Sequence, residues 1–342
     1  MKSCATINPM TATFALVPAT QSAIPGRMRP LNILRDLPTV ADLIELCFAN
    51  TLDPEGRNYI DQMRRNGRDS GFLNWAPRVI ESVSLPLSGF VWEDDGRIVG
   101  NVSLIPFSKA GLKVFLVANV ATHPDYRRRG IARALTEAAM QRAREKHADT
   151  IWLHVRQDNP GAIALYRDLG FYERARRTTW YTSSGNTPLV SSPASSVSIR
   201  PRSSWDWPQQ NHWLETSYPS SLDWYYAHKW NILRPGLLNG IYRFLADIDT
   251  LQWAAYKDNR LSAVLSCQRS TGRSDHLWLA APRRPDPEVI AALLLHGRRA
   301  LSERYSLSLE FPAGMADDAI REAGFLPQRT LVWMETHGAQ PH

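Results

Sequence analysis

Residues 119–133 constrain the fold more than any other part of this chain. They read Asn119-Val120-Ala121-Thr122-His123-Pro124-Asp125-Tyr126-Arg127-Arg128-Arg129-Gly130-Ile131-Ala132-Arg133. A β-branched run enters a Pro-containing turn, three arginines follow, and a glycine opens an amphipathic helix. That order brings the backbone to a helix N-terminus whose first amides have no intrahelical partner, and those amides and the helix dipole attract phosphate. Gly130 lets a ligand approach the backbone closely, and Ala132 keeps the first turn slim. Arg127, Arg128 and Arg129 add charge-assisted donors beside the amides of Ile131, Ala132 and Arg133. No Gly-Lys-Ser/Thr follows and no Gly-x-Gly-x-x-Gly is present, which excludes a Walker loop and a dinucleotide fingerprint.

A second constrained segment, residues 151–171, reads Ile-Trp-Leu-His-Val-Arg-Gln-Asp-Asn-Pro-Gly-Ala-Ile-Ala-Leu-Tyr-Arg-Asp-Leu-Gly-Phe. An apolar strand leads to Asp158 or Asn159 as N-cap, Pro160 takes the first helical position, and Gly170 stops the helix. Ala162, Leu165, Tyr166 and Leu169 fall at i, i+3, i+4 and i+7, one helix face. The first segment contains Arg-x-x-Gly-x-Ala, and the second contains Asn-x-x-Ala-x-x-Leu-Tyr-x-x-x-Gly-Phe. In this order, each behind a strand, the two patterns closely resemble the GNAT superfamily of N-acetyltransferases.

The resemblance implies acetyl-CoA as acyl donor and direct attack of a neutral amine on its thioester. The acceptor would be a small amine, an aminoglycoside-like sugar or a protein N-terminus. The pyrophosphate would sit on Arg127–Arg133. The amides of Val120, Ala121 and Thr122 would hold the thioester carbonyl and pantetheine on a bulged fourth strand. Asn159 would hydrogen-bond the pantetheine arm beside Ala162, although a simple helix cap explains the same residue. Tyr166 matches the general acid that protonates the leaving thiolate; a core tyrosine is the plainer alternative.

The base is less clearly marked. Many family members place a carboxylate on the fourth or fifth strand, but the fourth-strand positions here are Ala118 and Asn119. His154 stands on the fifth strand where ribosomal-protein acetyltransferases carry glutamate. An imidazole near pKa 6.5 deprotonates an ammonium directly or through water; a satisfied core histidine is the alternative. His123 suits a turn or cofactor-loop contact, and Glu93 and Asp94 lie at a hairpin tip. A non-catalytic acetyl-CoA sensor is the rival reading, motivated by the missing carboxylate and opposed by the intact Tyr166.

At 342 residues the chain is long enough for two domains, and its net charge of +7 suits an anionic cofactor. Such charge would also suit nucleic acid or an anionic membrane, but no reader motif accompanies it and no apolar run is long enough to span a bilayer. The expected partners are therefore an acyl-CoA and an amine, without nucleic acid or membrane. Cys4, Cys47 and Cys267 show neither metal spacing nor a disulfide framework, pointing to no metal and a reducing cytoplasm. Residues 1–28 are Thr-, Ala- and Pro-rich with only Lys2 and Arg27 charged, and are expected to be a disordered tail or the product of an early start codon.

From there the pattern predicts a strand at Leu31–Leu34, a helix at Pro38–Phe48, broken helix over 54–83, and a hairpin turning at Asp94-Asp95-Gly96. A strand at Lys113–Ala121, a helix at Gly130–Lys146, a strand at Ile151–Val155, a helix over 160–169 and a strand over 171–182 follow. The order β-α-α-β-β-β-α-β-α-β is that of the GNAT fold. Residues 184–196 read as a Ser/Pro linker. Beyond it the punctuation recurs: a strand at Val197–Ile199, a Trp-rich helix over Gln209–Lys229, a hairpin at Lys257-Asp258-Asn259, a strand at Leu277–Ala280, a helix at Pro285–Leu301, a strand at Leu307–Phe311, and a short helix closed by Gly324-Phe325. The expected architecture is a mixed-sheet α/β (α+β) fold of two tandem GNAT-like domains, each a central mixed β-sheet flanked by helices. The active domain is 29–183 and the degenerate one 197–338. In the second, Arg283-Arg284-Pro285-Asp286-Pro287 replaces the glycine loop, and aligning Gly324-Phe325 with Gly170-Phe171 puts Ile320 at the place of Tyr166. The second domain is therefore not expected to bind acyl-CoA. Its eight tryptophans, from Trp205 to Trp333, suit core and interdomain packing.

Overall fold

Two tight turns set the first half of the sheet. Asp95 and Gly96, and then Ala110 and Gly111, all take positive φ and join β2 (Gly89–Asp94), β3 (Arg97–Lys109) and β4 (Leu112–Thr122) as antiparallel hairpins. Two successive positive φ angles match the right-handed twist of the flanking strands. Asp258 and Asn259 do the same between β8 (Thr250–Lys257) and β9 (Arg260–Gln268), at the turn expected from sequence. The computed structural model describes residues 26–52, 54–66, 88–182, 196–226, 230–245, 249–268, 274–301 and 306–338. Expectations for residues 1–25, 67–83 and the linker 184–195 lie outside these residues, as does Cys4.

Among the described residues twelve strands form one sheet in the order β1-β2-β3-β4-β5-β12-β6-β11-β10-β9-β8-β7. The remaining strands are β1 (Arg27–Pro30), β5 (Thr150–Arg156), β6 (Tyr172–Tyr181), β7 (Val197–Pro201), β10 (Ser274–Ala280), β11 (Ser306–Pro312) and β12 (Leu326–His337). The helices are α1 (Ile33–Phe48), α2 (Pro54–Asn66), α3 (Ile131–Glu145), α4 (Pro160–Asp168), α5 (Trp207–Ser217), α6 (Asp223–Tyr226), α7 (Leu237–Leu245), α8 (Pro287–Leu301) and α9 (Asp317–Glu322).

The two halves repeat one plan. In the first, β4 and β5 run parallel over Val114–Val117 and Thr150–Leu153; in the second, β10 and β11 do so over Ser274–Leu277 and Ser306–Leu309. Each half ends its last helix alike. Phe171 N donates to Tyr166 O and Gly170 N to Arg167 O, while Phe325 N donates to Ile320 O and Gly324 N to Arg321 O. Gly170 and Gly324 both take the left-handed conformation this helix stop requires.

The halves then exchange their last strands. β12 lies between β5 and β6, and β6 pairs on its other side with β11. The cores are exchanged with the strands. Val332 and Met334 of β12 pack with Leu135, Ile151 and Tyr166 of the first half, while Trp180 of β6 packs with Leu309, Phe311 and Phe325 of the second. A cut at 184–196 therefore does not divide the sheet, because β12 from the far end of the chain completes the first half.

Several local expectations are corrected. Leu31–Leu34 is not a strand: β1 ends at Pro30, and α1 begins at Ile33, where Asn32 N donates to Asp36 Oδ2 at 2.8 Å and satisfies an amide at the helix start. Four residues with three apolar positions do not distinguish strand from helix, and the local hydrogen bond decides. Arg27 and Met28, expected in the tail, pair with Glu93 and Trp92. The long helix over 209–229 stops at Ser217 because Pro219 cannot continue it; a 3-10 turn at Ser220–Leu222 and the short α6 follow, and 227–229 lie outside the described residues. α7 and β12 were not anticipated.

Candidate active site

β4 and β5 pair only as far as Val117 and Leu153. Beyond that point β4 runs on to Thr122 and β5 to Arg156 without contact in the ladder, so the sheet opens between them. An internal strand edge left open needs hydrogen-bonding partners, and a ligand that inserts there supplies them. On its other edge β4 departs from regular pairing. Ser103 faces Ala118 and Asn101 faces Ala121, so the residues between form a β-bulge, and Asn119 within it has φ +52°. Asparagine tolerates that left-handed conformation better than most side chains.

Polar side chains hold the bulge. Asn101 Nδ2 donates to Asn119 O at 2.9 Å, and Asn119 Nδ2 donates to Tyr59 Oη at 2.9 Å and Ser103 Oγ at 3.2 Å. Asn101 is fully buried. Burial pushes the Tyr59 phenol up to about 12, against the lowering effect of the Asn119 hydrogen bond. Asn101 and Tyr59 are not marked by either sequence motif, and Asn119, which cannot accept a proton usefully, shapes the strand instead. The legible signal was an asparagine inside an otherwise apolar strand.

The strand leads through a 3-10 turn at Pro124–Tyr126 into the arginine loop. Arg128 and Gly130 both take positive φ, at 65° and 82°, and Gly130 caps α3 without a side-chain hydrogen bond. The first turn of α3 carries no acidic residue, and the Ile131 side chain is turned into the core. The amides from Gly130 to Arg133 therefore face outward beside Arg127, Arg128 and Arg129, an anion-binding arrangement. Arg129 Nη2 donates to Asp125 O and its guanidinium stacks on Tyr126 at 4.8 Å; Arg127 Nε reaches Thr122 O at 3.4 Å. Arg133 pairs with Asp168 at 3.0 Å, joining α3 to the end of α4. Ala132 O accepts from Thr136 Oγ1 at 2.7 Å.

Tyr166, Val120 and Ala162 belong to one cluster under α3 and α4. Tyr166 packs edge-on against Phe171 at 6.1 Å, and its hydroxyl makes no hydrogen bond to any described residue. Burial raises its pKa, so the phenol is protonated at neutral pH. Asn159, rather than Asp158, is the N-cap: its Oδ1 accepts from Ala162 N at 3.1 Å, while Asp158 pairs with Arg156 at 2.7 Å. Ala121 is buried against α1 and α2, and the Thr122 carbonyl accepts from Cys47 Sγ at 3.2 Å.

His154 lies on the opposite face of the sheet from Tyr166. Ile151, Leu153 and Val155 point to α3, whereas Trp152 packs on the other face and His154 stacks on Trp333 at 4.8 Å. Burial, aided by the charge of Arg329, pushes His154 down to about 4. The imidazole is neutral at physiological pH and a weaker base than the ordinary value near 6.5 suggests. His123 accepts a hydrogen bond from Asp125 N at 3.3 Å, a turn contact.

The second half keeps the split, since β10 and β11 pair only as far as Leu277 and Leu309, but the Tyr218 hydroxyl bridges it, accepting from Leu279 N at 3.3 Å and donating to Glu310 O at 3.1 Å. β10 pairs with β9 from His276 to Ala280 without a register shift, so no bulge forms. The N-terminus of α8 is occupied from within: Asp286 Oδ1 accepts from Glu288 N at 3.0 Å, and Lys257 Nζ donates to Asp286 Oδ2 at 2.7 Å. The Lys257 hydrogen bond holds the Asp286 carboxyl below the usual range, so a negative charge sits where a phosphate would need amides. Ile320, fully buried, takes the place of Tyr166. Among the described residues no cluster suited to a metal ion occurs and no helix is long and apolar enough to cross a membrane.

The Acetyltransferase (GNAT) family matches residues 51–171, which include the bulge, the arginine loop and α4. The ribosomal protein bS18 alanine N-acetyltransferase of Escherichia coli K12 is 35% identical over 92 residues, 27% of this chain and 62% of that one. The chain thus spans about three fifths of the length of that relative. An N-alpha-acetyltransferase of Sulfurisphaera tokodaii is 34% identical over 113 residues, covering 30% of this chain and 68% of that one. A GCN5-related N-acetyltransferase from Sphaerobacter thermophilus shares the fold across 93% of this chain and 98% of its own, with a TM-score of 0.56 at 15% identity. A glucosamine N-acetyltransferase region of a fungal multi-domain GH3 beta-N-acetylglucosaminidase does so over 91% of this chain and 38% of its own, with a TM-score of 0.54 at 14% identity. Two ordered motifs, a bulged strand beside a split sheet and an uncapped arginine-flanked helix agree with these relationships: the chain belongs to the GNAT family of acetyltransferases.

Proposed function

We propose that the protein is an acetyl-CoA-dependent N-acetyltransferase that acetylates a primary amine in its first half, while the second half is a degenerate copy that completes the sheet. The carrying observation is the pairing of the β4–β5 opening with the uncapped N-terminus of α3; in the second half the corresponding β10–β11 split is bridged by the Tyr218 hydroxyl and the helix start is occupied by Asp286. Open strand edges suit the amide-rich pantetheine arm, and the arginine loop suits pyrophosphate. Acetyl-CoA, as substrate, supplies the thioester that an amine attacks. Backbone amides at Val120–Thr122 donate to the developing oxyanion, and Asn159 lies beside the arm with its Nδ2 available. The buried Tyr166 phenol keeps its proton until the C–S bond breaks and then gives it to the thiolate sulfur. The amine nitrogen loses its proton to water on the His154 face; neutral His154 can relay that proton but not hold it near neutral pH. Protein N-termini and small amines are both within this reading, as the names of the relatives include ribosomal-protein alanine. Neither Cys47 nor Cys267 is in a disulfide, which suits a reducing cytoplasm.

Isothermal titration of acetyl-CoA into the protein and into Gly130→Val tests the reading. One site, lost in the variant, is the expected result, because valine at φ +82° is strained and its side chain blocks the loop. Two sites would restore the second half as a binder. Binding without turnover over a broad amine panel would favour an acetyl-CoA sensor.

A further inference from the structure

The acceptor must reach the β4–β5 opening from the His154 face, since Tyr166, Ala162 and Leu165 pack against the other. On the His154 face α2 covers the β4 side through Tyr59 at the Asn119 bulge, and the β5 side is covered from the far half of the chain. Tyr225 of α6 lies with its ring 4.8 Å from Trp333, 6.3 Å from His154 and 6.1 Å from Phe107. Trp224 sits beneath it, 4.9 Å from Phe107 and 5.6 Å from Trp152. The Tyr225 phenol also stands close enough to Tyr59 to raise the latter's pKa electrostatically, which brings it up to the Asn119 bulge. Trp224 Nε1 is buried without a hydrogen-bond partner, an unmet donor inside the aromatic group.

Two features separate this group from ordinary core. Tyr225 is 40% exposed and His154 is partly open, so the rings border solvent. The charged pair at the start of α6, Lys109 with Asp223 at 3.1 Å, is partly exposed. The side chains on this face are mostly rings, Tyr225, Trp333 and Phe107, with the Tyr59 phenol at the bulge and one neutral imidazole. Ring faces reward flat apolar bodies and the π-attracted flank of an amine more than polar sugars or extended peptide backbone.

Building on the acetyltransferase reading above, we propose that the acceptor pocket is composite: Trp224 and Tyr225 of α6 and Trp333 of β12, all from the degenerate half, wall the acceptor side of the first half's site and select primary amines carried on a flat, apolar body. Tyr225 is the specificity-determining residue, being exposed where the others are enclosed. Pro219 makes the wall possible, since it ends α5 and turns the chain so that α6 drops onto the first half.

The test compares phenethylamine, glucosamine and an alanine-initiated peptide as acceptors for the wild type, Tyr225→Ala and Tyr225→Phe. Phenethylamine should lead in kcat/KM. Tyr225→Ala should raise its KM about tenfold with kcat within threefold and acetyl-CoA affinity unchanged, and Tyr225→Phe should keep the preference. The same amines titrated into CoA-saturated protein read the pocket without turnover, and phenethylamine binding should again weaken in Tyr225→Ala. Turnover or binding that favours the sugar or the peptide, or a phenethylamine preference untouched in Tyr225→Ala, overturns the composite wall. Selective phenethylamine binding without any acetyl transfer would support the wall and sink the acetyltransferase reading instead.

Discussion

The side-chain amide of Asn101 donates to the carbonyl of Asn119 at 2.9 Å, tying β3 to the one residue of β4 that takes a left-handed conformation. The bulge that opens the site thus rests on a fully buried side chain one strand away. Asn101→Leu removes the donor from the half-buried Asn119 carbonyl, at a cost of about 1 kcal/mol. Acetyl-CoA affinity should fall with stability. Asn119→Gly keeps the positive φ and should bind nearly as well as wild type, while Asn119→Val should bind least. Calorimetric titration of the three variants checks the order, and equal affinities would detach the bulge from cofactor binding.

Tyr166→Phe keeps the packing against Phe171 and deletes only the hydroxyl. Turnover should drop about 100-fold with acetyl-CoA affinity little changed, the size expected for a lost general acid. Steady-state kinetics beside a binding titration separate the two effects. Unchanged kcat would remove Tyr166 from the chemistry.

His154 gives the protein a defined acid response. Its folded pKa of about 4 lies below the ordinary 6.5, so between these values the unfolded chain binds more protons than the fold. Stability from this group is complete above about 6.5 and is lost as pH falls toward 4. His296, also lowered by burial, acts in the same sense. Melting temperatures across pH 4–7 should rise, and His154→Gln should flatten that rise. A kcat profile with its acidic limb near 6.5 that vanishes in His154→Gln would instead make His154 the base.

The exchanged strands make the halves one cooperative unit. Met334→Ala, in the last strand of the chain, opens the core of the first half, and Trp180→Ala, in β6, opens that of the second. Each should cost about 2–5 kcal/mol. Differential scanning calorimetry should show one transition, shifted in both variants. A chain ending at Phe325 should lose acetyl-CoA binding although every cofactor-contact residue proposed above is retained. Two separable transitions would mean that the sheet divides after all.

Local chemistry was legible in the sequence wherever short-range rules govern it. Gly130, Pro160 and Gly170 announce helix ends and Asp258-Asn259 announces a hairpin, because caps and turns depend on a few consecutive residues. The replacement of Tyr166 by Ile320 could be read from the repeat, since both halves stop their last helix with the same hydrogen bonds. Tertiary structure alone decided the rest. Strand exchange pairs β5 with β12, whose partner lies 170 or more residues away, and no local pattern encodes which apolar strand fills a given gap. The bulge at Asn119 needs Asn101 across the ladder, the His154 pKa needs burial and Arg329, and the aromatic wall needs Pro219 to turn α6 onto the other half. Each arises from groups distant in sequence meeting in a medium of low dielectric, where partners and solvent exclusion outweigh intrinsic preference.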